Sequence, residues 1–317
     1  MRRMLPRMLK HAALVTVALS LFAAPAAAQS KSWTAVSKSV NTGAAIVVGV
    51  NLKPIRATTT YASALKLFLD EEESAKQAFE MIKGTCAIDV PAAISDATVI
   101  MKNDEKPLVV LGLDGLDETK VVACLEKIGN AMAQAAGSTV AIKLTAKKKG
   151  KVTEYSMAGE KKKIYIAWLA ADVLAFTDDP NDKGKITKMI AGKPPKGALG
   201  SMIAKVSTTA PIWFAVSKKD KEEWGTILGG YGQVDITGGT ITGTGHLVVA
   251  KPAEAVAAAA EGNKGLAEAK TEAAQAAGVL KVLNTITITA AGSQVDMTGS
   301  VADKDIMGLL PQLDSIF

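Results

Sequence analysis

The chain has 317 residues, with 37 Lys and Arg against 31 Asp and Glu, two cysteines and two histidines. Its formal charge of +6 sits largely in the first 28 residues, which hold four basic residues and no acidic ones; the remainder stands at 33 against 31, or +2. That balance excludes a nucleic-acid role argued from overall charge. A single histidine beyond residue 28, His246, leaves little for zinc-hydrolase or Ser-His-Asp chemistry.

Arg2, Arg3, Arg7 and Lys10 form a positive start, Ala12 to Ala24 an apolar run, and Ala26-Ala27-Ala28 a small-x-small site. This pattern predicts a cleavable export signal over residues 1–28, with Gln29 as the mature N-terminus. The apolar run falls short of the roughly 20 residues that span a bilayer. No Cys follows the cut for a lipid anchor. The expectation is a periplasmic or secreted protein with no transmembrane anchor after cleavage. Arg2-Arg3 leaves the twin-arginine route open beside the general one. In an oxidising compartment the cysteine pair, Cys86 and Cys124, reads as a disulfide, and the absence of CxxC argues against thioredoxin-type redox work.

Residues 44–51 (AAIVVGVN) form an apolar run of strand length. Apolar residues at helical spacing from Tyr61 to Ile82 predict one helix between Thr58 and Lys83, with Gly84 stopping it and Cys86 in the loop beyond. Residues 97–102 and 107–113 read as strands, and Asp117 as the N-cap of a helix that buries Val121, Val122, Leu125 and Ile128. Strands follow at 139–146, 151–157, 163–169 and 173–178, and then a short helix capped by Asp179.

The sequence GKPPKG (192–197) suits neither helix nor central strand and marks a linker at 193–197, between an N-terminal domain of residues 29–192 and a C-terminal domain of 198–317. Beyond it come a strand at 211–216, a helix at 218–228, and a hairpin around Gly238-Gly239. An Ala-dense helix opens at Pro252, with Gly262 and Gly265 placed to kink or split it. A last hairpin and a closing helix through Ile306, Leu309, Leu310 and Leu313 complete the chain. Strand-to-helix units start near Ala45, Pro107, Pro211 and His246. The fold class is therefore α+β: two tandem split-βαβ (ferredoxin-like) halves with antiparallel sheets and appended hairpins.

No catalytic constellation emerges. Thr242, Thr244 and His246 share one strand face, opposite Leu247 and Val249, which makes His246 a polar-face residue with no partner for a metal. Ser63 and Lys66 fit SxxK, but the companion KTG motif is absent. The glycines near 238–245 lie in a hairpin, where no phosphate-cradling helix start follows. Asp179 to Gly184 opens like a calcium loop but places Lys183 and Ile190 where oxygen ligands belong. The acidic run Asp70 to Glu73 reads as a solvated helix face, with paired-carboxylate glycan chemistry as the functional alternative. No metal or cofactor is expected.

Lysine clustering offers one binding surface. Lys143, Lys147, Lys148, Lys149, Lys151, Lys161, Lys162 and Lys163 face only Glu154 and Glu160 in the same stretch. Such an excess suits an anionic envelope component, a lipid headgroup or polyanionic glycan, while turn and edge protection is its structural explanation.

The runs VVLGLDGLDETKVVACLEKI and KVTEYSMAGEKKKIYIAWLAADVLAFTDDPNDKGKITKMI, within residues 107–192, resemble a class of uncharacterised exported bacterial proteins. The resemblance implies export and an α+β module, with no activity or site residue to carry over. Together these readings predict a non-enzymatic exported protein that binds or scaffolds in the cell envelope. The alternatives are a carboxylate-based hydrolase of envelope glycan and a carrier using an apolar groove beside the Ala-rich helix.

Overall fold

A computed structural model of the chain describes residues 30–39, 44–102, 107–135, 137, 142–157, 163–177, 179–273, 277–306 and 308. Residues 1–28, where the sequence predicts an export signal, and residues 309–317, which hold most of the predicted closing helix, lie outside them. The chain forms two compact units: 29–52 with 67–196, and 53–66 with 197–317.

The chain opens with α1 (Lys31–Val36) and β1 (Ile46–Asn51). Helices α2 (Leu52–Arg56) and α3 (Thr59–Glu71) follow, and residues 53–66 within them belong to the second unit. Next come α4 (Glu73–Cys86), α5 (Val90–Ala93), β2 (Ile94–Met101), β3 (Leu108–Leu113) and α6 (Glu118–Ala135). Strands β4 (Leu144–Lys149), β5 (Val152–Met157), β6 (Lys163–Ala170) and β7 (Val173–Thr177) lead to α7 (Lys183–Ile190).

In the first unit these strands form an antiparallel sheet in the order β1-β2-β3-β7-β6-β5-β4. Alternate residues point inward, so Val47, Ile100, Leu108, Val110, Val173 and Ala175 are buried together. Helix α1 packs over β2, β3 and β7 and buries Val36 completely.

The second unit adds α8 (Gly197–Ile203), β8 (Ile212–Val216), β9 (Asp220–Glu222), β10 (Gly225–Thr237) and β11 (Thr240–Val249). Then come α9 (Pro252–Glu272), α10 (Ala277–Leu283), β12 (Thr287–Ala291), β13 (Gln294–Ala302) and α11 (Asp303–Ile306). Its sheet runs β12-β13-β11-β10-β8, with β9 paired to β10. Gly238 and Gly239, both at positive φ, make the tight β10–β11 turn that the sequence predicts.

The α+β class and the antiparallel sheets agree with the sequence, but the order within each unit departs from a split βαβ. Strands β1, β2 and β3 are chain neighbours paired as a meander, where a split βαβ would insert a non-neighbour between them. In the second unit, residues 218–228 form strands in place of the expected helix. Asp220–Glu222 pair with Gly225–Ile227, and the glycines and β-branched residues of GTILGGYG suit a sheet better than a helix.

Three smaller corrections concern helix ends. The helix predicted over 58–83 breaks at Glu72, in the middle of the acidic run, into α3 and α4. Helix α4 then continues through Gly84 to Cys86, and Ala87, at φ 57°, takes the left-handed cap instead. Asp182, not Asp179, caps α7 by accepting the Lys185 N–H at 3.0 Å. Helix α9 is unbroken at Gly262 and Gly265. Gly262 lies against Ile288 and shares with Ala255, Ala258 and Ala259 a small-residue stripe packed on Val249, Ile288 and Val295. The unit's own core fills the surface that an apolar groove would need.

Asp303 caps α3 across a long sequence distance. Its carboxylate accepts the Thr59 N–H at 2.8 Å and hydroxyl at 2.7 Å, and hydrogen bonds from Thr60 as well. Burial raises its pKa, but the hydrogen bonds from Thr60 and Thr59 outweigh that and hold the carboxyl below its ordinary 3.8. Its stabilisation is therefore complete above pH 3.8 and fades as the pH falls below that value. Asp303→Ala should cost about 1–2 kcal/mol at neutral pH. Thermal melts of the two proteins should converge in acid, and an equal gap at every pH would contradict the cap.

Candidate functional site

The lysines are divided by the sheet. Strand β4 pairs on one side only, with β5, so it is an edge. Alternation sends Lys147 and Lys149 to one face and Lys148 to the other. Lys148 approaches Glu118 at 3.4 Å. That carboxylate belongs to a network in which it accepts hydroxyls from Thr153 at 2.8 Å and Tyr155 at 2.7 Å, and the Trp168 indole N–H donates to the Tyr155 oxygen at 2.8 Å. Burial first, then the bond to Glu118, pushes Tyr155 up to about 12. Burial raises Glu118, but bonds from Tyr155, Thr153 and Lys148 bring it below the usual carboxylate range.

On the opposite face Lys163 holds Glu154 at 2.6 Å, which lowers Glu154 and raises Lys163. Lys147 stands opposite Glu154 in the register, where the carboxylate is already engaged. Lys149 and Lys151 are exposed and make no ion pair among the described residues. Lys161 and Lys162 lie outside the described residues. The structure thus brings Lys147 and Lys163 toward one carboxylate and turns Lys148 away from them.

Helix α6 runs beside that edge. Besides the Glu118 contacts, Glu126 accepts the Leu144 N–H at 2.8 Å, and the Asn130 side chain pairs with Ile142 through both its N–H and its C=O. Glu118, Leu125 and Met132 are seven apart and share one stripe of the helix. Leu125 is 41% exposed and Met132 61%. The Cys86–Cys124 disulfide forms as the sequence predicts, with Cα atoms 5.4 Å apart, and ties α4 to α6.

The second unit assembles a polar row that sequence reasoning missed. Register places Tyr231 on β10 opposite His246 on β11, and His246 opposite Asp296 on β13. The Tyr231 and His246 rings stack with centroids 4.5 Å apart. His246 Nδ1 lies 2.7 Å from Asp296 Oδ1 and 3.1 Å from the Gln294 amide nitrogen. Gln294 also donates to Asp296 and accepts the Tyr231 hydroxyl at 2.7 Å. Only one protonation of the ring satisfies this arrangement. A bare Nδ1 would face the Asp296 lone pairs, so Nδ1 carries hydrogen and donates to Asp296, and Gln294 spends its N–H on the carboxylate.

Burial raises Asp296, and hydrogen bonds from His246 and Gln294 together with the charges of His246 and Lys205 bring it below the usual range. A cavity of about 180 Å³ opens beside this row, lined by Lys205, Tyr231, Gln233, Thr244 and His246 among others. The polar face of β11, with Thr242, Thr244 and His246, was visible in the sequence. The register that aligns them was not.

No protein-family model matches the chain, and no curated protein matches its sequence. Among solved structures the chain is similar in outline to the Treponema protein TP0453. Its crystal form III is 9% identical, covering 87% of this chain and 96% of that one at a TM-score of 0.43. Form I is 7% identical over 88% and 96% at 0.41, and form IV 8% identical over 89% and 99% at 0.43. Likeness at this level assigns no function. Among the described residues no helix is long and apolar enough to cross a membrane.

Proposed function

We propose that the chain is an exported, non-enzymatic protein of the cell envelope that binds an anionic membrane surface through the β4 edge and the exposed apolar side chains of α6. The observation that carries this reading is that α6, which leaves Leu125 and Met132 exposed, runs beside the β4 edge, and that this edge and its tip carry exposed Lys147 and Lys149, on the face away from α6, and Lys151. Lysines alone would suit a polyanionic glycan equally well. Large apolar side chains held in water beside them favour lipid, where a methionine or leucine gains by entering the headgroup boundary and the ammonium groups stay among phosphates.

Each lysine near an anionic surface contributes about 1 kcal/mol. Changing Lys147, Lys149 and Lys151 together to Ser should therefore weaken binding to phosphatidylglycerol vesicles by about 3 kcal/mol, on the order of a hundredfold. Sedimentation with vesicles at low and high salt measures this. Equal binding by the triple variant would discard the proposal, and so would retention on anionic glycan with no affinity for vesicles.

A further inference from the structure

We propose that the cavity beside His246 in the second unit is a binding site for a small oxyanion, a phosphate or carboxylate group held between His246 Nε2 and the Lys205 ammonium. The inference is independent of the membrane reading, since it concerns other residues in the other unit.

The first argument comes from the fixed tautomer. With Nδ1–H committed to Asp296, the second ring nitrogen has no partner among the described residues, and the ring lines the cavity. The Asp296 carboxylate on Nδ1–H fixes the orientation of the imidazole, and a ring that carries both protons offers Nε2–H as a donor to an oxyanion. The second argument is Lys205. Its ammonium is held over the face of Tyr231, 5.1 Å from the centroid, and has no carboxylate within ion-pair distance among the described residues. Gln233 fixes the same wall, accepting the Ser207 N–H at 2.7 Å and donating to Asp235 at 2.7 Å. The Lys205 ammonium and the His246 ring thus line one small cavity whose neighbouring carboxylates, Asp296 and Asp235, already hold His246 and Gln233.

His246 is the only histidine beyond residue 11, so its ring resonances are assignable without ambiguity. Titration of the ¹⁵N-labelled protein with inorganic phosphate should shift Nε2 saturably at about pH 5.5.

Lys205→Gln leaves the Tyr231–Gln294–Asp296–His246 bonds in place and should weaken phosphate binding at least about tenfold at unchanged thermal stability. Lys147→Ser should leave it unaffected, which separates this site from the membrane edge. Binding of phosphatidic acid vesicles that depends on Lys205, without affinity for free phosphate, would place the same oxyanion on a lipid headgroup and uphold the site. No saturable shift with either probe, or equal affinity in the Lys205 variant, would overturn it.

Discussion

Asp96→Ala should lower the stability of the first unit by about 3–5 kcal/mol and free the N-terminal helix from the sheet. The side chain is 2% exposed on β2, where an unpaired carboxylate would be prohibitive. It persists because donors surround it. Ser30 gives its hydroxyl at 2.8 Å, Ser32 its backbone N–H at 2.7 Å and Ser95 its hydroxyl at 2.7 Å. Ser30 also caps α1, accepting the Trp33 N–H, and Ser32 shares a hydrogen bond with Thr98 at 2.8 Å. Hydrogen bonds to a charged group contribute about 1.5–3 kcal/mol each, and removing the acceptor leaves the buried donors unmet.

Gly112 belongs to the same design. A Cβ there would collide with the Asp96 carboxylate and the Ser95 hydroxyl, so Gly112→Ala should mimic the loss of the network. Asp96→Asn keeps an acceptor and should cost distinctly less than Ala. Denaturant melts give the ranking, and hydrogen exchange at residues 31–36 reports the helix. If Ala and Asn variants melted with the wild type, the carboxylate would not be what fastens α1. The attachment has a second, exposed element: Lys31 reaches Asp172 at 2.7 Å, Asp114 at 3.0 Å and the Leu113 carbonyl at 2.8 Å.

These contacts mark the limit of what the sequence could reveal. Period-two apolar runs located β1, β2, β3 and β5 to β7 to within a few residues, because a half-buried strand writes its burial directly into alternation. The residues ahead of β1 show no such alternation. Ser30 and Ser32 are buried there because an aspartate 64 to 66 residues later needs donors, and nothing local signals such a match.

The same holds for Asp303, which reaches back to Thr59 and Thr60, and for the row of Tyr231, His246 and Asp296. Pairing partners are set by register, and register depends on the whole sheet. The misread stretch at 218–228 failed for a different reason. Its charged residues resemble a solvated helix, and the strand identity comes from the glycine-rich partner that follows.

Loss of the Cys86–Cys124 bridge is expected to act almost as strongly, by a different route. The bond closes a separation of 38 residues, and the chain-entropy model gives such a loop about 4 kcal/mol. Packing offers little to replace it. Helix α4 has no buried residue, and in α6 Cys124 alone is buried. Met81 on α4 and Leu125 and Met132 on α6 remain exposed, so the two helices gain less from burial than amphipathic helices of this length usually do.

Reduction should therefore loosen α4 before the sheet melts. Hydrogen exchange over residues 73–86 should quicken on adding a thiol reductant, while β2, β3 and β7 stay protected. The Cys86→Ser, Cys124→Ser double variant should show the same exchange pattern without reductant and a lower midpoint in denaturant. Reductant added to that variant should change nothing further. A reduced protein whose α4 exchanged as slowly as the oxidised one would mean that the helix pair is held by its own contacts, and that its exposed apolar stripe is more firmly anchored than its burial implies.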